Sequence, residues 1–209
     1  MMSNAGRRAW LAGVAACAGA AAGWLLPGLA HAGRQAEEPL ADAVRTALAA
    51  AIADAAPPKP VFADLDARLA FLRWLGMMSE RLKRQKSEAH TRLEFLETLW
   101  YESTRAGLEP ALVLALVQVE SGFRKYAVSS AGARGYMQVM PFWARQIGGG
   151  DPAGLFHMQT NLRFGCVILR HYLDIERGEL FLALGRYNGS RGKPEYPNAV
   201  LANRGRWQM

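Results

Sequence analysis

PALVLALVQVESGFRKYAVSSAGARGYMQVMP, residues 110 to 141, is the stretch from which the rest of the chain is read. Between Pro110 and Glu120 only Gln118 interrupts an apolar run. Proline at the first helical turn has no N–H to leave unpaired, and a run that is apolar all round marks a helix buried on most sides. Counting back from Glu120 at helical spacing gives Val117, Leu116 and Val113, so the carboxyl shares its face with branched aliphatics and meets no cation there. Desolvation of that kind raises a carboxyl pKa. A carboxyl kept protonated near neutral pH is what general-acid catalysis at an ether-like leaving oxygen requires. The loop beside it carries Gly132 and Gly135, which allow close backbone approach. A solvated helix end is the other reading of the same glutamate.

The flanking sequence is helical in period. Leu65, Leu69, Leu72 and Met78 or Leu82 recur at helical spacing, with Phe62, Trp74 and Leu75 widening the apolar face toward a core. A second helix is expected from Glu88 to Ala106, with Leu93, Leu96, Leu99 and Trp100 inward and Gly107 as its cap. Pro141 opens a short helix through Ile147 that Gly148 to Gly150 end, Met158 to Glu176 forms a longer one, and Glu179 to Tyr187 another. No strand or hairpin pattern appears, so the fold class is mainly α. Phe123, Tyr136, Phe142 and Trp143 suit either an open stacking surface or the core. Beyond Asn203 no pattern is legible.

The chain has 209 residues, 51% hydrophobic and 21% charged, which bounds it to one globular domain of ordinary size with a real core. Arg7 and Arg8 precede an apolar stretch from Ala9 to Leu29, and Ala30-His31-Ala32 is an Ala-x-Ala cleavage site. Residues 1–32 therefore read as a secretory signal, and export to the periplasm follows. Cys17, in Val14-Ala15-Ala16-Cys17, gives a competing lipoprotein reading, but the residues after it stay apolar. The same leader also admits a retained membrane anchor, and Arg7-Arg8 admits a twin-arginine export route. Residues 33–60 form an alanine-rich segment with a weak helix, closed by Pro57-Pro58-Lys59-Pro60 as a stiff linker, and residues 61–209 form the domain.

Cleavage leaves Cys166 as the only cysteine, without a disulfide partner and placed among Phe164, Val167, Ile168 and Leu169 as a small buried hydrophobe. The net charge of +7 falls to +5 once Arg7 and Arg8 leave, a balance that favours an anionic envelope polymer. No zinc spacing or nucleic-acid motif accompanies it, and Arg81, Lys83, Arg84 and Lys86 alternate with Leu82 and Gln85 as a solvated helix face would, so nucleic acid is excluded as a partner.

Three motifs, in order, resemble the lytic transglycosylase family of the soluble-lytic-transglycosylase type, with its goose-lysozyme-like catalytic domain. They are Glu120-Ser121, Gly135-Tyr136-Met137-Gln138-Val139-Met140-Pro141 and Tyr187-Asn188-Gly189; Asn161 to Gly165 followed by Tyr172-Leu173 is similar to a fourth. Tyr196 to Leu201 resembles the family's short helix after the Tyr-Asn motif, and the likeness covers about residues 90 to 200. It implies a lysozyme-like α-helical domain that acts as a monomer on peptidoglycan strands without metal or cofactor. It implies Glu120 as the catalytic acid, Ser129 near the acetamido group or the carboxylate, Gln138 and Met140 lining sugar subsites, and Tyr187 bonding near Glu120 with Asn188 holding that corner. Arg134, Tyr136 and Arg186 depart from the family pattern and bear on subsite shape and stem-peptide preference.

Glycosidases generally place two carboxylates across the scissile bond. Residues 121–150 contain no Asp or Glu, and Asp151, Asp174, Glu176, Glu179 and Glu195 sit in no matching motif. One carboxylate serving twice agrees with the resemblance, which implies cleavage to a 1,6-anhydro product. A lysozyme-type hydrolase with a second carboxylate and an inactive glycan-binding or assembly protein are the competing functions. A small exported domain on a linker also suits work beside an envelope-spanning complex.

Overall fold

The computed structural model describes residues 35–37, 39–53 and 60–209; the expected leader, the Cys17 box and Pro57 to Lys59 lie outside the described residues. The helices are α1 (Asp42–Ala53), α2 (Leu65–Leu82), α3 (Ala89–Arg105), α4 (Pro110–Ser121), α5 (Pro141–Ile147), α6 (Met158–Ile175), α7 (Leu180–Asn188) and α8 (Glu195–Arg204). Short 3-10 turns occur at Pro152–Phe156 and Gly205–Trp207. Among the described residues there is no strand, only isolated bridges joining Arg134 to Val128 and to Val139, and the fold is mainly α. None of the described helices is long and apolar enough to cross a membrane.

α4 is the central rod. Ala111 to Val117 are each no more than 5% exposed, and burying each leucine among them contributes about 1.5–3 kcal/mol. Pro110 starts α4, and Gly122 stops it in the left-handed region at φ 56°, its N–H bonding to Gln118 O. α8 and α3 pack against α4, and α6 packs against α3 and α7, so Glu120 comes to lie inside the bundle. A buried ion pair ties α3 to α6: Arg163 donates to Glu102 Oε1 from Nε at 3.1 Å and from Nη2 at 3.0 Å. α1 lies on α5 and α6 with Leu48 buried, and Arg105 donates to Ala51 O at 2.6 Å.

The face of α2 corrects the sequence expectation. Leu65, Leu69 and Leu72 are 67%, 42% and 49% exposed, whereas Phe71, Trp74, Leu75, Met78 and Leu82 are buried. Both stripes have helical period. The buried one carries the aromatic rings, which bury more area and pack together: Trp100 lies 4.6 Å from Trp74 and 5.2 Å from Phe71 between ring centroids. Leu93 is likewise turned outward on α3, where Phe95, Leu96 and Leu99 fill the core.

The C-terminal tail is tied down. Trp207 is buried against Phe123, its Nε1 donates to Gln118 Oε1 at 2.8 Å, and Arg81 donates to the carbonyls of Arg206 and Gln208. Lys86 leaves the expected solvated face, its Nζ donating to Tyr136 Oη at 2.7 Å.

Candidate active site

Glu120 sits in the last turn of α4 with 8% of its surface exposed, and burial pushes its pKa up to about 8. The opposing influence is Tyr196, on α8, whose hydroxyl donates to Glu120 Oε1 at 2.5 Å. Glu120 Oε2 is buried and meets no hydrogen-bond donor among the described residues. A raised pKa means that the carboxyl holds its proton at neutral pH, and the unpartnered oxygen is where that proton is free to be given away. The phenols of Tyr187 and Tyr196 are both pushed well above their ordinary range, first by burial and then by the charge of Glu120.

The loop after α4 is built around its own backbone. Arg134 and Val139 exchange N–H to O bonds at 2.9 and 3.0 Å, and Gly135 N–H bonds to Ala127 O at 2.9 Å. Asn161, at the start of α6, anchors it. Its Oδ1 accepts from Met137 N–H and its Nδ2 donates to Arg134 O and Leu155 O, all at 2.8 Å. A Cβ on Gly135, at φ 76°, would overlap the Asn161 amide and stand 2.7 Å from Leu155 O, so only glycine fits. At Gly165 a Cβ would overlap the Met137 side chain. The Gly-x-Met-Gln run and the Asn161 to Gly165 stretch are therefore two halves of one contact.

The residues singled out from the sequence fall as follows. Tyr187 is buried, and its hydroxyl donates to Met137 O at 2.8 Å, tying α7 to the loop; the hydroxyl that reaches Glu120 is that of Tyr196. Gln138 is buried at a positive φ of 49°, and its Nε2 donates to Gly135 O at 2.9 Å and Ala127 O at 3.1 Å. Ser129 is half-buried, with Oγ accepting from Ala133 N–H at 3.1 Å. Met140 is half-buried against the core just before Pro141, and Asn188 is buried at the end of α7. Phe123, Tyr136, Phe142 and Trp143 are all buried and serve the core. So does Cys166, whose thiol pKa burial pushes up.

Tyr196 was not singled out. It stands 76 residues from Glu120, and the only trace of it in the sequence is the short-helix stretch that it opens.

Three of the other candidate carboxylates are engaged elsewhere. Asp151 caps Ala153 N–H at 2.8 Å, Asp174 accepts from Arg170 at 2.6 Å, and Glu176 accepts from Arg191 and Arg186, which hold its pKa down to about 2. Glu179 and Glu195 are exposed at the starts of α7 and α8.

Comparison with known proteins covers this same stretch. The family profile described as "Transglycosylase SLT domain" matches residues 98–203, just over half of the chain. A transglycosylase of Enterobacteria phage PRD1 is 31% identical over 118 residues, 53% of this chain and 43% of the phage protein. The membrane-bound lytic murein transglycosylase C of Actinobacillus pleuropneumoniae serotype 5b is 37% identical over 94 residues, 41% of this chain and 25% of the relative. The chain thus spans under half the length of either relative. Among solved structures, an inactive mutant of lytic transglycosylase Slt from Pseudomonas aeruginosa is 22% identical with a TM-score of 0.49, covering 67% of this chain and 29% of that one. Glu120, its loop and Tyr196 all lie inside the matched residues, and the chain belongs to the Transglycosylase SLT domain family.

Proposed function

We propose that the protein is an exported peptidoglycan lytic transglycosylase in which Glu120 acts first as acid and then as base. The observation that carries this reading is the state of that one carboxyl: buried, with its pKa raised to about 8, held through Oε1 by Tyr196 and with Oε2 unpartnered. The resemblance to lytic transglycosylases and the names of the relatives point to the same reaction.

In this mechanism Glu120 gives its proton to the glycosidic oxygen between N-acetylmuramic acid and N-acetylglucosamine, and the bond from the anomeric carbon to that oxygen breaks. The substrate's acetamido group assists. The muramoyl 6-hydroxyl oxygen then bonds to the anomeric carbon and its proton returns to Glu120, leaving a 1,6-anhydro end without consumption of water. Tyr196 supports the first step, because a phenol that donates to the carboxyl steadies the anion that proton transfer leaves. The engagement of Asp151, Asp174 and Glu176 elsewhere favours this single-carboxylate cycle over hydrolysis through a second acid.

Ser129, Gln138, Met140, Tyr187 and Asn188 are the substrate-side residues in this reading, with Gln138 and Tyr187 acting chiefly by shaping the loop. Residues 1–32 are the leader, 33–60 the alanine-rich segment whose helix α1 rests on the bundle, and 61–209 the catalytic domain in the periplasm. Incubation of the purified protein with peptidoglycan sacculi tests the assignment. Soluble fragments are expected from the parent protein and none from Glu120→Gln; release that survives this substitution overturns it.

A further inference from the structure

Six residues past Glu120 the chain places an exposed aromatic surface that the reaction does not use. Tyr126 is 71% exposed, and its ring lies 6.0 Å from that of Phe156. Each ring carries a cation: Lys125 Nζ lies 5.3 Å from the centre of Tyr126, and the Arg134 guanidinium 5.5 Å from the centre of Phe156. Among the described residues neither cation is ion-paired with a carboxylate. Lys86, held against Tyr136 and Phe95, feels the charge of Lys125 from the side.

This surface is fixed to the site loop. Ala127, next to Tyr126, accepts from Gln138 and Gly135, and the Arg134 backbone is locked to Val139 and Asn161. Two cations seated over adjacent rings place positive charge beside an apolar surface. A carboxylate borne on a short aliphatic chain fits that combination. The sugars of a murein strand carry no charge of their own once the lactyl group is amidated, so the carboxylates of the strand belong to its stem peptides.

We propose that Lys125, Arg134 and the Tyr126–Phe156 pair form a subsite that binds the carboxylates of the stem peptide, so that the protein engages peptide-bearing strands in preference to bare glycan. The subsite rests on the proposed reaction for its substrate, and its test is kept independent of turnover. Equilibrium binding to soluble murein fragments is measured with the Glu120→Gln protein, using fragments with intact stems and the same fragments with their stem carboxylates converted to neutral amides.

The intact fragments are expected to bind about tenfold more tightly, as two charge-assisted contacts allow, and adding Lys125→Ala with Arg134→Ala brings that ratio close to one. Tyr126→Ala lowers the ratio without changing the charge. Equal affinity for both fragments in the parent, or a ratio unmoved by the double substitution, overturns the subsite. Should circular dichroism show the double variant unfolded, Lys125→Ala alone is read for the same drop. Cleavage is scored separately, and its absence counts against the reaction alone.

Discussion

Tyr196 donates to one oxygen of Glu120 at 2.5 Å, while the other oxygen of the same carboxyl is buried without a donor. The two residues come from α8 and α4, which pack along each other, so the bundle itself sets the state of the acid. Burial alone would leave a carboxyl that gives up its proton reluctantly. The phenol lowers that cost by stabilising the anion, and the balance leaves the pKa at about 8.

Tyr196→Phe is therefore expected to move the alkaline limb of the rate profile. Activity that needs protonated Glu120 declines as the pH rises through about 8, and loss of the donor raises that midpoint. The rate at neutral pH falls about tenfold, because the anion left after the first proton transfer loses a charge-assisted bond. A pH–rate series on both proteins checks this; a limb that stays in place would show that Tyr196 does not govern the acid.

Stability follows the same carboxyl in the opposite sense from an ordinary ion pair. Unfolded, Glu120 loses its proton near its ordinary value of 4.5, and folded it keeps the proton up to about 8. Between those values the native state binds more protons, so stability falls as the pH rises across that window. Glu120→Gln removes the titration and is expected to be more stable than the parent above pH 8, by on the order of a few kcal/mol, while differing little at pH 4. Thermal melts at the two pH values measure the difference.

Asn161→Ala is expected to destabilise the protein by about 2–4 kcal/mol, since it strands the Met137 N–H and the carbonyls of Arg134 and Leu155. Gly135→Ala should be at least as damaging, because the added Cβ meets the same amide at a positive φ. Urea unfolding reads both, and a cost below about 1 kcal/mol for either would mean that the loop repacks.

On α2, Phe71→Ala is expected to cost about 3–5 kcal/mol, whereas Leu69→Lys should change stability by less than about 0.5 kcal/mol. Phe71 is 5% exposed and Leu69 is 42% exposed. The pair of variants tells which stripe faces the core.

Those two stripes also show where sequence reading stops. The starts of α4 and α5 were legible to the residue because Pro110 and Pro141 open them, and the end of α5 because Gly148 follows it. The buried setting of Glu120 was legible from the apolar run that precedes it. Leu65, Leu69 and Leu72 misled because helical period does not say which of two apolar stripes finds partners, and the rings of Phe71, Trp74 and Trp100 decided it. Tyr196 and Trp207 were hidden for another reason: their partners Glu120 and Gln118 are 76 and 89 residues away, and only the packing of α8 and the tail on α4 brings them together.

The central claim is that one carboxyl completes the reaction without water. Mass spectrometry of the soluble fragments released from sacculi tests it most directly. Fragments one water lighter than hydrolysis products, and resistant to borohydride reduction, are the expected result. Reducible ends at the hydrolytic mass would contradict it and would require a second carboxylate to hold a water opposite Glu120.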